Sequence, residues 1–429
     1  MPPPNRQPDL PLRPPADPAA DVVRWLFPAY ILLILVGFFA LRADGVMPPG
    51  NPLNHDRAVF QAVNAATLTG FQYSIHPSAY FLPGKVVLFL LTVAGTLFAL
   101  IVGGLAVKRI LRLPWSDWRI LWAALICQAV AILIGLMFNT CPGGAGASMF
   151  DSVFQAAAAF ANSGLYISPA GPPLPSDATT HTLLLPMSIL GGLGLTVLIE
   201  LFDSIIHQRP LSRHAKVVLG TTAGVYLVGF AVSLLFQALS PDVVREKSVW
   251  SATTAPVPTW RTVLLNASFA PLNARTLGLP IAPIHRDLAP MAFLTVLLMF
   301  VGASPGGTGG GLKTTTLHAL LCAPRRAFAN LPAGRPFAFA AVWLGLYLLT
   351  LCLIHPLLMR FAPQLGGDQS LFLTVSALSN VGLAPDRVTL TGIPLYLLSA
   401  AMFAGRIIPL LILWWMADST RDAEDVAIG

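Results

Sequence analysis

The sequence predicts an all-α integral membrane protein. It reads as four tandem helix–re-entrant loop–helix units, eight transmembrane helices in all, around one pseudo-four-fold pore. Three observations lead there. Of 429 residues, 55% are hydrophobic and 10% charged, against about 25% charged in soluble domains, and the mean hydropathy is +0.70. Apolar runs alternate between two lengths, one near the roughly 20 residues that cross the hydrocarbon and one of about 10–14 that suits a re-entrant segment. Each short run ends in small residues and a glycine, and a long apolar helix follows.

The elements follow in order. Residues 1–23 form a proline-rich tail that reads as disordered and cytoplasmic. Unit one, 24–107, has helices at 24–41 and 83–107 enclosing 56–69. The run Trp25 to Leu41 follows Arg24 and has no small-residue cleavage site after it, so it reads as a retained helix. Unit two, 108–203, has helices at 119–139 and 182–203 enclosing 149–162. Unit three, 204–318, has helices at 217–239 and 288–318 enclosing 261–275. Unit four, 319–416, has helices at 337–359 and 392–416 enclosing 368–380, and a cytoplasmic tail, 417–429, follows. Two full spans per unit return the chain to the same side, so the repeats are parallel and can surround one axis.

The net charge is +7. Its basic residues sit in short loops between apolar runs: Lys108, Arg109, Arg112 and Arg119; Arg209, Arg213 and Lys216; Arg325, Arg326 and Arg335. With Arg24, they place those loops and both termini in the cytoplasm. The partner this implies is a lipid bilayer and not nucleic acid.

The four glycine runs are Thr67-Leu68-Thr69-Gly70-Phe71, Asn162-Ser163-Gly164-Leu165, Arg275-Thr276-Leu277-Gly278-Leu279 and Asn380-Val381-Gly382-Leu383. A cation filter needs backbone carbonyls converging on an axis, and glycine permits the close approach and the dihedrals. Each short helix aims its partially negative C-terminus at its run. Irregular backbone at membrane depth is tolerated where it is buried in protein or lines a water-filled cavity. Candidate filter residues are therefore Thr69, Gly70, Asn162, Ser163, Gly164, Thr276, Leu277, Gly278, Asn380, Val381 and Gly382, with a cation there as the one bound metal.

The second helix of unit three contains Gly302-Ala303-Ser304-Pro305-Gly306-Gly307-Thr308-Gly309-Gly310-Gly311-Leu312-Lys313-Thr314-Thr315-Thr316. Each interior Gly costs roughly 0.8–1 kcal/mol and Pro roughly 3 kcal/mol relative to Ala, so this stretch reads as an unwound loop, placed to act as a gate. A phosphate-cradling loop needs glycine directly before lysine and a strand upstream; Leu312 intervenes and a membrane helix precedes. Lys313 either acts at membrane depth or snorkels to the interface. Arg406, midway along the last helix, either opposes cation passage or pairs with a carboxylate or backbone carbonyls. Carboxylates suited to a coupling ion are few: Glu200, Asp203, Asp151 and Asp368 stand at segment ends. Their scarcity favours a channel-like mechanism over a symporter. Cys127, Cys141, Cys322 and Cys352 lack metal spacing, and the chain offers no Ser/His/Asp arrangement, so no enzyme and no cofactor are expected.

These residues resemble the Trk/Ktr/HKT superfamily of potassium and sodium transporters from about residue 24 to 416. The matching motifs are Ser304-Pro305-Gly306-Gly307-Thr308 through Thr316, Ala274-Arg275-Thr276-Leu277-Gly278, Gly405-Arg406 and Ile189-Leu190-Gly191-Gly192-Leu193-Gly194. Eight spans without an additional N-terminal pair look most like the Ktr-type (KtrB-like) membrane subunit. The resemblance implies that Gly70, Gly164, Gly278 and Gly382 are filter glycines for K+, that 303–311 is an intramembrane gate, and that Arg406 is a pore arginine. It also implies a homodimer, a cytoplasmic ring of nucleotide-binding regulatory subunits, and a bacterial inner-membrane location. Glycine at position 70 goes with potassium preference in that family. Two departures stand out. Leu91 to Leu97 replaces a common Gly-Gly-Leu-Gly run, and Leu277 and Leu279 stand where alanine and phenylalanine are common.

Overall fold

The computed structural model describes residues 18–48, 53–72, 76–139, 148–169, 171–175, 177–239, 259–279, 289–332, 334–384, 389–419 and 426–428. The tail over 1–17, Cys141 and most of 420–429 lie outside the described residues. Among those described, no β-strand forms; Val301 and Leu312 make one isolated parallel bridge.

Each unit opens with an outer helix: α1 (Pro18–Leu41), α4 (Asp117–Met137), α8 (Arg213–Leu239) and α12 (Arg335–Phe361). Units one and four close with unbroken inner helices, which become α3 (Leu82–Ile110) and α14 (Ile393–Ser419). All six are apolar, and burial sorts them. The outer helices bury 22, 28, 17 and 22% of an apolar 18-residue stretch, whereas α3 and α14 bury 56 and 61%. Leu32, Trp122, Leu227 and Leu353 therefore face outward, as expected when the surrounding solvent is itself apolar.

The enclosed segments are short helices: α2 (His55–Ala66), α5 (Met149–Phe160), α9 (Trp260–Leu272) and α13 (Gly367–Leu378). At 12–13 residues they reach roughly 18–20 Å, too short for hydrocarbon about 30 Å thick. Local chemistry starts them. The Ser148 side chain accepts from Asp151 N, and the Asp151 carboxylate accepts from Ser148 N at 2.9 Å, a reciprocal cap. Ala156, Ala157, Ala158 and Ala159 are all buried, so neighbouring helices can close around α5.

Unit three departs from its siblings. Its short helix stops at Leu272 and a five-residue wide turn, Asn273–Leu277, leads into Gly278. Pro271 lies in the last turn and cannot donate a backbone hydrogen bond, which loosens the ladder there.

Two inner helices are broken. The sequence predicted one at 288–318; α10 (Ala289–Phe300) and α11 (Thr314–Phe328) flank a non-helical 301–313, and α11 runs on to Phe328. The other break is a correction. The span expected at 182–203 is continuous in pattern, yet α6 (Leu185–Leu193) and α7 (Leu195–His207) meet at 105°. Gly194 makes the corner with φ +87°, a region open to glycine. Among the described residues, six helices are thus long and apolar enough to cross a membrane unbroken, and the bent pair is a seventh candidate.

The units close in order. The inner helix α3 packs on α4, α6 on α9, α10 on α13, and α14 returns to α2. The four helix pairs therefore follow one another around a closed ring.

Candidate functional site

The glycine runs form the innermost contacts. A Cβ built on Gly70 would lie 2.2 Å from Gly164 N; on Gly164, 2.1 Å from Gly278 O; on Gly278, 1.8 Å from Val381 O; on Gly382, 2.2 Å from Thr69 O. Each run abuts the next in chain order, and the last abuts the first. Gly70, Gly278 and Gly382 have φ of +91, +64 and +83°. Gly164 does not share that region, so there the close approach alone requires glycine. Two residues before their glycines, Leu68, Asn162 and Asn380 are left-handed at +60, +54 and +49°, so units one, two and four share a backbone shape and unit three substitutes its wide turn. Ser163, Leu277 and Val381 are buried between these points.

Side-chain amides hold the ring. Asn162 Nδ2 donates to Thr308 Oγ1 at 2.7 Å, and its Oδ1 accepts from Ser188 Oγ at 2.6 Å. Asn380 Nδ2 donates to Thr69 Oγ1 at 3.0 Å and to Met402 O at 2.8 Å. Sequence reasoning missed two further clamps. Asn64 Oδ1 accepts from Gly70 N and Phe71 N, both at 2.9 Å, while Nδ2 donates to Phe71 O at 2.8 Å. Asn273 does the same for Leu279, at 2.7 Å from its N and 2.9 Å to its O. The available signal was an asparagine near the end of a short apolar helix, six to seven residues before the clamped backbone. Gln72, also missed, donates Nε2 to Gly164 O at 3.0 Å.

Beneath the ring, residues 302–316 are buried throughout. The two broken helices complete each other. Carbonyls left free at the end of α6 accept from the loop: Gly192 O from Ser304 N at 3.0 Å, Gly191 O from Thr308 N at 3.1 Å, and Leu193 O from Ser304 Oγ. Leu195 N, the first amide of α7, donates to Gly306 O at 3.2 Å. A helix end leaves such groups unpaired, and here the loop pairs them. A Cβ on Gly310 would stand 2.2 Å from Ser379 O, so the same loop touches unit four.

Three buried cations serve backbone carbonyls. Arg406 donates to Thr67 O through Nε at 3.0 Å and Nη2 at 2.6 Å, and to Thr308 O through Nη1 at 2.7 Å. Thr67 is the C-cap of α2. Of the two kinds of partner left open for Arg406, carbonyls are the ones in place. Lys313, buried rather than at an interface, donates to Gly309 O at 2.6 Å. Arg275, whose burial the sequence did not reveal, donates to Val301 O at 3.1 Å and Gly302 O at 2.9 Å beyond the end of α10. Arg406 and Lys313 share a cavity of about 10 Å³ with Pro305, Gly306 and Gly405, about enough for one water.

Three of the carboxylates considered for a coupling ion are held by local structure. Asp203 pairs with Arg119 at 2.7 Å, Glu200 accepts from Ser212 N at 3.0 Å, and Asp151 caps α5 and lies 3.9 Å from Lys85.

Fold and site together define an all-helical, multi-pass membrane protein with four short helices converging on a ring of glycines. Comparison with known proteins narrows this. No family model matches. The chain is 29% identical over 311 residues to the potassium/sodium uptake protein NtpJ of Enterococcus hirae, an alignment covering 67% of this chain and 64% of that protein, just under two thirds of its length. It is 26% identical over 400 residues to the Ktr system potassium uptake protein B of Vibrio alginolyticus, covering 84% of each. Its fold matches the crystal structure of the potassium transporter TrkH from Vibrio parahaemolyticus with a TM-score of 0.68, over 97% of this chain and 87% of that one, at 15% identity. The chain is thus similar to Ktr- and Trk-type potassium uptake proteins, KtrB-type membrane subunits among them.

Proposed function

We propose that this chain is the membrane-embedded, ion-conducting subunit of a bacterial-type K+ uptake system. Potassium passes channel-like through a filter built on Gly70, Gly164, Gly278 and Gly382, and residues 303–311 form the gate. The observation that carries this reading is the closed ring, in which each glycine's missing side chain makes room for the next run's backbone. Carbonyl oxygens of Thr69, Ser163, Leu277 and Val381 and their glycines replace water around the ion. Asn162 and Asn380 brace the filter, Thr276 lies on the wide turn beside it, and Arg406 and Lys313 set a positive barrier beneath it. Eight crossings, counting both broken inner helices as spans, place the basic ends of the units and both termini in the cytoplasm. The "Ktr system" in a relative's name supports a multi-component assembly, here a homodimer on a cytoplasmic nucleotide-binding ring.

Flux measured in liposomes under imposed K+ or Na+ gradients at fixed voltage tests this. K+-preferring flux that needs no second gradient is the expected result; flux that requires a proton or sodium gradient would make the chain a coupled K+/H+ or K+/Na+ symporter. The Enterococcus relative's name includes sodium, which favours a second reading: a poorly selective Na+/K+ pathway, expected to show comparable flux of both ions in the same assay.

A further inference from the structure

At the end of the bundle where α8 and α12 begin and α11 ends, a cavity of about 420 Å³ opens between these helices and residues 426–428. Arg213, His318, Arg326 and Arg335 line it, and no described carboxylate does. Arg326 donates Nε to Pro332 O at 3.2 Å and Arg335 donates Nη2 to Ser419 O at 2.9 Å. Neither makes an ion pair among the described residues. A guanidinium has five donors, so each keeps most of its own for a ligand. Two helices of 27 residues start at this cavity, α8 at Arg213 and α12 at Arg335. Their N-terminal ends carry partial positive charge, which favours anions; Ala215 N is capped by Ser212 Oγ at 3.1 Å and Phe337 N by Gly334 O at 3.0 Å, so the arginine side chains supply the donors.

The rest of the lining is apolar, including Ala319, Ala323 and Val426. Outside it, α11 and the turn after it leave Leu321, Phe328 and Leu331 exposed at 63, 90 and 55%. A basic rim on an apolar wall at one end of a membrane bundle matches an anionic head carried on acyl chains. We propose that this cavity binds a phosphate group, supplied by the headgroup of an anionic phospholipid. The site rests on the proposed membrane reading for its surroundings and not on the filter. It bears on the buried loop through α11, whose first residue, Thr314, donates its N–H to Ala303 O at 3.0 Å. A bound headgroup thus holds the outer end of a helix whose inner end is tied to 301–313.

The full chain, purified in neutral detergent, is titrated with phosphatidylglycerol, phosphatidylcholine or inorganic phosphate, and bound ligand is counted by native mass spectrometry. The expected result is one tightly held phosphatidylglycerol per chain, with affinity at least tenfold above phosphatidylcholine. That affinity falls tenfold or more in R326Q/R335Q, returns largely in R326K/R335K, and is unchanged in R209Q/K216Q, which removes the same charge outside the cavity. Inorganic phosphate binding that R326Q/R335Q abolishes would also support the phosphate site, with a soluble source. Retention of phosphatidylglycerol by R326Q/R335Q at wild-type affinity, or equal loss in R209Q/K216Q, would overturn it. Liposome flux of the same samples separates the outcomes: lost flux with wild-type lipid binding bears on the transport reading alone.

Discussion

Serine at Gly70 and at Gly164 separates two demands that glycine meets in the ring. Each new Cβ would stand 2.2 or 2.1 Å from the neighbouring run, and real Cβ atoms do not approach closer than 3.0 Å. Backbone on one side must therefore retreat by about 0.8–0.9 Å, an overpacking that costs about 1–3 kcal/mol. Gly70 carries a further term. Its φ of +91° adds roughly 1–2 kcal/mol for an L-residue held in left-handed geometry, and Gly164 escapes it. Gly70→Ser should then lose about 2–5 kcal/mol and Gly164→Ser about 1–3 kcal/mol. Both widen the ring, so both should lower K+/Na+ discrimination; a tenfold fall corresponds to about 1.4 kcal/mol. Thermal unfolding in detergent reads the first quantity and reversal potentials in bilayers the second. The reasoning fails if Gly70→Ser is no less stable than Gly164→Ser, or if neither shifts the permeability ratio.

Other perturbations follow from the same contacts. Asn64→Leu leaves Gly70 N and Phe71 N without their acceptor, at about 1–3 kcal/mol for each stranded group; folded protein with native selectivity would show that the clamp is dispensable. Arg406→Gln removes a fixed charge and part of a bridge between Thr67 O and Thr308 O. Unitary K+ current should rise several-fold while stability drops, and a lower current in well-folded protein would contradict a barrier role. Deleting Gly309–Gly311 shortens the buried loop and should raise flux at constant voltage. Reduced flux with an intact gel-filtration profile would remove the gate assignment.

Much of this architecture was readable in the chain because its causes are local. Alternating long and short apolar runs follow from hydrocarbon thickness, and the short segments expected at 56–69, 149–162 and 368–380 contain helices that end two or three residues earlier, at Ala66, Phe160 and Leu378. Local signals failed where the cause lies elsewhere in the chain. Gly191-Gly192-Leu193-Gly194 falls inside the single span expected at 182–203. It breaks because the amides and hydroxyl that satisfy its carbonyls come from Ser304 and Thr308, more than a hundred residues on. Arg406 announced a buried charge, but its partner Thr67 is 339 positions away. Arg275 stands in a glycine run, and nothing nearby in sequence shows that the Val301 and Gly302 carbonyls await it. In unit three, Pro271 was the one local clue to the wide turn, and its effect depends on where the helix must deliver Gly278.

The cations below the ring have a consistent logic that reconciles stability with the proposed conduction. Dry protein at this depth leaves helix ends and unwound backbone with carbonyls to satisfy. Arg275 satisfies those after α10, Arg406 the C-cap of α2 and Thr308, and Lys313 Gly309. Each cation replaces lost hydration with carbonyl oxygens, the same exchange that K+ would make in the proposed filter. The fixed charges and the ion thus draw on one kind of ligand at neighbouring depths. Thr308 ties them together: its hydroxyl accepts from Asn162 and donates to Phe160 O at 3.1 Å, its N–H donates to Gly191, and its carbonyl holds Arg406. Displacing the loop at Thr308 would therefore open space, free the end of α6 and release one side of Arg406 in one movement. In the proposed pore, the steric and the electrostatic barrier thus share contacts at Thr308.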